Sequence, residues 1–451
     1  MKGKMKLFSF MLLALAFVLV LSACGDDSEG STDDDGNWTG TITIWDGPRW
    51  AEEGDTSGED GKGNQYFWLQ GKIKEFEDAH PGVKIELVQV PWAEMPDKLG
   101  VNIAGQSWPD IAPVDISGSA VSIDHIEQGV IEPLDDFFTE EEKSDFYENA
   151  LDAYTFDGKM YGIPNSLTVH SMLLNLDLFE EAGVEPPANG EWTWDEFVDA
   201  AEKLTFDRDG DGTIDVYGFS TYILPGYYEA WPFFYINGGQ PLSDDLSEFT
   251  FDSPEAIEAI QQLADLKLVN EAAPVSMGGA DVGGTYQAWA NEEQRTVAME
   301  PWATWAITSA QGSEVNFMVA NYPTGSKGDP VTIGGVGGWT MFKQESDAKK
   351  EVVAEFMKSI SSTDEQYLMS KSYGIFPARI SAAEMDPFAD NPEMARAQEM
   401  SSQVVMLPRH PEWKKIDEII QRELQLVFNG EKTAEEAMAT AKPEVEALLG
   451  E

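Results

Sequence analysis

Cysteine is nearly absent: Cys24 is the only one in 451 residues. An internal disulfide is therefore excluded, and the fold must rest on its core, helped at most by a metal. Basic side chains are scarce too, 29 against 81 acidic ones, for a formal net charge of −52. Phosphate contacts need basic surface, so nucleic-acid binding is excluded as a class. There are four histidines, and neither a Gly-x-Ser-x-Gly elbow nor a His-Glu-x-x-His motif occurs. Apolar residues are not lacking. They make up 42% of the chain, with 11% aromatic, which separates it from disordered acidic sequences. Acid on this scale is a solvated surface that keeps a protein monomeric, and it suits a saline or alkaline medium.

The first residues carry Lys2, Lys4 and Lys6, then an almost unbroken apolar run from Leu7 to Leu21, then Ser22, Ala23 and Cys24. A charged start, an apolar stretch and small residues before a cleavage point form a secretory signal, here residues 1–23. The run is short for a membrane span. Leu21-Ser22-Ala23-Cys24 resembles a bacterial lipobox, which implies lipidation of Cys24. The chain would then sit on the outer face of the cell membrane through acyl chains only. Residues 24–37 are acidic and rich in Gly, Ser and Thr, a flexible tether. The remainder is too long for one ordinary core and suits two lobes.

Thr41 to Trp45 is β-rich and is broken by Asp46-Gly47-Pro48. Leu69, Ile73 and Phe76 mark one helical face, ended by His80-Pro81-Gly82, and Val83 to Val90 alternates as a strand. This order, repeated with variations, predicts α/β layers with parallel strands. Thr193-Trp194-Asp195-Glu196 is a capping box, Ser253-Pro254 a cap with an N1 proline, and Thr433 opens a last helix.

The ordered series Phe76–Val83, Trp108–Ile111, Asp157–Pro164, Trp192–Phe197, Ile236–Gly239 and Gly334–Trp339 resembles the extracellular solute-binding proteins of ATP-driven sugar importers, the maltose-binding-protein-like group. The similarity runs from Trp38 to Leu449. It implies a two-lobed α/β fold of the type II periplasmic-binding-protein kind, with ligand in the cleft between lobes. One lobe would hold residues 38–165 plus 337–374, the other 166–336 plus 375–451. It further implies a sugar ligand, delivery to ABC permease subunits and no catalysis.

A sugar cleft needs flat apolar faces for the rings and polar groups for the hydroxyls. Within Met299 to Trp305, Glu300-Pro301-Trp302 resembles the family's Gly-Pro-Trp turn, which assigns a stacking role to Trp302; packing in the core is the alternative. Gly226 to Pro232 resembles the family's Pro-Tyr-x-x-Trp-Pro segment and implies ligand stacking by Tyr228, while Trp413 falls where the family places another stacking tryptophan or simply packs its helix. Asp46 and Arg49 follow the first strand. Arg49 would bind hydroxyls or a ligand carboxylate, or pair with neighbouring acids. Asp115 and Ser117 follow a strand start, and Asn165 and Thr168 follow Ile163-Pro164. Thr168 and Ser117 stand where maltose-binding protein has acidic sugar ligands, so the sugar's identity does not carry over. Gly335 to Trp339 would bring amides to ligand or serve a hinge.

Asp207, Asp209, Asp211, Thr213 and Asp215 match the first nine positions of a calcium loop, with Gly212 after the third acid. The twelfth position is Gly218, so the usual bidentate glutamate is missing. The expectation is a structural Ca2+ half-site; the alternative is an acidic turn. Two other functions compete with a lipid-anchored sugar receptor: a secreted glycan-degrading enzyme, for which no carboxylate pair stands out, and a surface adhesin.

Overall fold

The computed structural model describes residues 30–32, 37–52, 54–58, 61–116, 121–291, 295–313 and 315–450. The signal, Cys24, Ser117 and most of the tether lie outside the described residues. Strand β1 (Trp38–Asp46) buries Ile42 and Ile44 completely. Helix α1 (Phe67–Ala79) covers it with Trp68, Leu69, Ile73 and Phe76. Gly82, at φ +97°, turns the chain into β2 (Val83–Gln89), parallel to β1 from Gly40↔Val83 to Asp46↔Gln89. Helix α2 (Met95–Ala104) and strand β3 (Ile111–Ala112) follow, Ile44 pairing with Ile111.

Strand β4 (Ile163–Asn175) is the longest. Beyond it come α3 (Trp194–Lys203), β5 (Tyr217–Phe219), α4 (Pro254–Leu268), α5 (Val282–Ala290), β6 (Val297–Ala303), α6 (Thr304–Gly312), β7 (Phe317–Ala320) and β8 (Thr332–Met341). Helices α7 (Asp347–Ser359), α8 (Thr363–Tyr373), α9 (Trp413–Phe428) and α10 (Ala434–Leu449) complete the main elements. The caps read from sequence form. Glu196 and Glu436 reach back to Thr193 and Thr433, and Ser253 accepts from the Ala256 amide.

One mixed sheet runs β1-β3-β8-β4-β6-β5, with β2 on β1 and β7 on β4. β4 is its bridge. Its first half pairs with β8, from Ile163↔Trp339 to Val169↔Gly334, and its second half with β6 and β7. The register slips between Gly337 and Gly338. Close approach explains the glycines: a Cβ on Gly338 would lie 2.3 Å from the Ile163 oxygen, and one on Gly334 2.5 Å from the Thr168 oxygen. On one side the core holds Ile42, Ile44, Phe76, Trp339, Val353 and Met357. On the other it holds Phe197, Phe219, Trp231, Ile260, Ile420 and Ala441. The α/β architecture expected from sequence is what the chain adopts, but the strands are not all parallel: β1, β2 and β3 pair parallel, as do β5 and β6, whereas β4 runs antiparallel to β6, β7 and β8.

Candidate functional site

Two aromatic clusters are built where β1, β4, β6 and β8 deliver their ends. At the first, Asp46 closes β1, and Pro48 and Arg49 turn the chain back. The Arg49 fork is bidentate on Asp46, with Nε to Oδ2 at 2.8 Å and Nη2 to Oδ1 at 2.9 Å. Asp46 is fully buried and the Arg49 side chain nearly so. The guanidinium lies 4.9 Å from the Trp339 ring centroid, 5.5 Å from that of Trp92 and 5.7 Å from that of Trp68. Burial raises the Asp46 carboxyl, and the guanidinium opposes the rise. The remaining Arg49 nitrogen, Nη1, faces the Met369 sulfur at 3.8 Å, which also accepts from Asn165 Nδ2 at 3.3 Å. Asn165 Oδ1 and Trp339 Nε1 are buried with no partner among the described residues. Trp50 joins through Trp68 and Tyr373, at 5.5 and 6.2 Å. Asp46, Arg49, Asn165 and Trp339 are thus brought together.

The second cluster surrounds Trp302. Its indole is completely buried. Tyr222, Tyr286 and Trp305 pack on it with centroids at 5.3, 5.2 and 5.4 Å. Its Nε1 donates to Glu300 Oε2 at 2.9 Å. Tyr227 extends the row, 5.7 Å from Tyr222. Burial pushes Glu229, beside Tyr222, up to about 7 and pulls His170 down to about 4. Three aromatics of the two clusters keep open faces: Trp92, Tyr227 and Trp305 are each just over a third exposed.

Other sequence-predicted residues stand apart from these clusters. Trp413 is buried in the core beside Trp231 and donates from Nε1 to the Tyr228 hydroxyl at 3.3 Å. Tyr228 is partly buried there. The Thr168 hydroxyl accepts from the Gly335 amide at 3.1 Å, so it serves the strand crossing. Asp115 is partly buried near Tyr154. Sequence reasoning missed Glu300, Tyr222, Tyr286, Trp305, Trp92, Trp50 and Tyr373. Trp305 sat inside a stretch already singled out. Tyr222 and Tyr286 gave no signal, because remote segments fold them onto Trp302. A separate cavity of about 920 Å³, lined by Trp108, His125, Gln128, Lys343 and Lys349, shares no residue with either cluster.

In the acidic loop, carboxylate oxygens of Asp207, Asp209 and Asp215 lie within 4.8 Å of one another. The Arg208 guanidinium pairs with Glu181 at 2.8 Å, not with these acids. Hard oxygens at this spacing fit calcium. Asp211 is outside that trio; its Oδ1 accepts from the Thr213 amide. Gly218, at the position of the missing glutamate, is pressed against the Ala201 backbone.

Residues 72–396 match the family of bacterial extracellular solute-binding proteins, and the chain belongs to that family. A putative binding protein of Brucella abortus is 26% identical over 394 residues, 83% of this chain and 88% of the relative. An arabinooligosaccharide-binding protein of Bacillus subtilis is 25% identical over 281 residues, 61% of this chain and 58% of that one. Among solved structures, an ABC substrate-binding protein of Listeria monocytogenes in complex with cycloalternan superposes with a TM-score of 0.74 at 25% identity, covering 91% of this chain and 99% of that one. The fold is therefore the two-lobed α/β fold of substrate-binding proteins, and the chain is a binding protein, not an enzyme. Among the described residues no helix is long and apolar enough to cross a membrane.

Proposed function

We propose that this protein captures an oligosaccharide outside the cell and hands it to the permease subunits of an ATP-driven importer. The observation that carries the reading is the pairing of aromatic faces with buried, unsaturated polar groups in both clusters. Aromatic rings meet the C–H faces of sugars, and groups such as Asn165 Oδ1 and Trp339 Nε1 await hydroxyls. Relatives that bind an arabinooligosaccharide and cycloalternan support the ligand class. Ligand contacts to both lobes would drive a hinge closure about β4 and β8. Lipidation at Cys24 would hold a monomeric receptor beside its permease, and residues 24–37 would give it reach. Calcium on Asp207, Asp209 and Asp215, with Thr213 supplying its carbonyl, would staple the second lobe. A thermal-shift screen of neutral mono- and oligosaccharides, with and without chelator, tests ligand and metal together. A raised melting point with one sugar class supports the receptor. No shift with any sugar counts against it.

A further inference from the structure

Residues 221–230 form neither strand nor helix, yet the segment is held along its length from one helix, α9. Trp413, Asp417, Gln421 and Gln425 follow one another at four-residue spacing, which stacks them along α9. Each bonds this segment. Trp413 Nε1 donates to the Tyr228 hydroxyl at 3.3 Å, and the Gly226 amide donates to Asp417 Oδ2 at 2.7 Å. Gln421 Nε2 donates to the Tyr227 carbonyl at 2.9 Å, and Gln425 Nε2 to the Ile223 carbonyl at 2.7 Å. Gln421 Nε2 also reaches Asp417 Oδ1 at 2.9 Å, so two of the rungs brace each other. Asp417 is 2% exposed and Gln421 fully buried, out of reach of any ligand. Packing alone would be served by apolar side chains at these places, because a buried acid and amide are costly unless bonded. Their bonds go to backbone, so they fix the path of the chain. Along that path the two adjacent tyrosines part. Tyr228 packs on Trp231 at 5.5 Å with its hydroxyl taken by Trp413, whereas Tyr227 keeps an open face beside Tyr222 at 5.7 Å. Gly226, at φ +82°, makes the turn just before them.

We propose that Asp417, Gln421 and Gln425 are positioning residues of the receptor: from α9 they hold residues 221–230 by the backbone in the conformation that offers Tyr227, and not Tyr228, to the ligand. The helix thereby sets affinity from behind the segment, without touching sugar. The inference rests on the sugar-binding reading above, and it departs from the sequence motif, which gave the ligand-facing role to Tyr228.

The test uses the full chain as wild type, Gln421→Met, Gln261→Met and Tyr227→Ala. Gln261 is a matched control on α4: it accepts from the Ala434 amide at 3.1 Å and donates to Asp265 at 2.8 Å, and it makes no bond to residues 221–230. Calorimetry with arabinotriose and maltotriose is paired with the fluorine resonance of 3-fluorotyrosine at position 227, assigned with Tyr227→Phe. Methionine keeps the length of glutamine and loses its donor. In Q421M the Tyr227 resonance moves and affinity falls about tenfold or more, while Q261M keeps the resonance and stays within about threefold of wild type. Tyr227→Ala loses at least as much affinity as Q421M. A Q421M protein with wild-type affinity and an unmoved resonance overturns the positioning role, and so does an equal loss of affinity in Q421M and Q261M, which marks a purely structural part. Undiminished binding by Tyr227→Ala overturns the presentation of that ring. Should Q421M fail to fold, Gln425→Met, on the partly buried last rung, is read by the same two outcomes. If wild type binds neither sugar, the role toward ligand falls with the receptor reading, whereas a moved Tyr227 resonance in Q421M still upholds the hold of α9 on the segment, and an unmoved one overturns that too.

Discussion

Removing the Asp46 carboxylate strands a guanidinium inside the protein. Arg49 is held by two charge-assisted hydrogen bonds of 2.8 and 2.9 Å, and its third nitrogen meets a thioether. Each charge-assisted bond is worth about 1.5–3 kcal/mol, and breaking one side of a buried ion pair costs about 3–5 kcal/mol. The Trp68, Trp92 and Trp339 rings already face the guanidinium in wild type, so they add no compensation when the carboxylate is removed. Asp46→Ala is therefore expected to lose about 3 kcal/mol in urea equilibrium unfolding with an unchanged m-value. Replacing both partners, Asp46→Leu with Arg49→Leu, removes both charges and returns stability to within about 1 kcal/mol of wild type. The double variant also loses ligand binding, which separates the function of the pair from its stability. A D46A protein within about 0.5 kcal/mol of wild type would refute the view that the pair is a closed, desolvated unit.

Chelation, or Asp207→Ala, is expected to lower the melting temperature, and added calcium restores it only in wild type. Glu229 is raised to about 7 and Asp417 to about 6 by burial. A raised carboxyl stabilises the fold fully below its unfolded value and loses that contribution as pH rises through the folded value. Urea stability should thus fall between about pH 4 and about pH 7 by a few kcal/mol, and Glu229→Gln should flatten the fall. Gly338→Ala forces a methyl to 2.3 Å from the Ile163 oxygen and 2.7 Å from the Tyr154 hydroxyl. It should destabilise by about 1–3 kcal/mol in the same assay. Sugar binding should shrink the radius of gyration in small-angle scattering; an unchanged radius argues against hinge closure.

The strands and caps of this fold were readable because each is a local pattern. Val83 and Ile85 alternate and are buried, and Thr193 and Thr433 carry their own partners three residues on. The β8 glycines were visible as a run, but their reason was not: it lies in the backbone of β4, far away in sequence. Arg49 was recognisable as a rare cation, and the choice among its partners needed the geometry that puts Asp46 across its fork. Trp302 was legible as a motif, whereas its partners were not. Tyr222 and Tyr286 reach it only through tertiary packing, and Glu300 reads in sequence as one acid among 81. Trp413 and Trp302 are both buried among aromatic neighbours, Trp413 beside Trp231 and Trp302 beside Tyr222, an environment that their motifs do not reveal.

The most direct measurement is calorimetric titration of the full chain with a panel of neutral oligosaccharides, repeated with Trp302→Ala. A sugar receptor gives one-to-one binding in the micromolar range, about −8 kcal/mol, lost in the Trp302 variant while the protein stays folded. Absence of heat with every oligosaccharide, or undiminished binding by the variant, contradicts a sugar site built on Trp302.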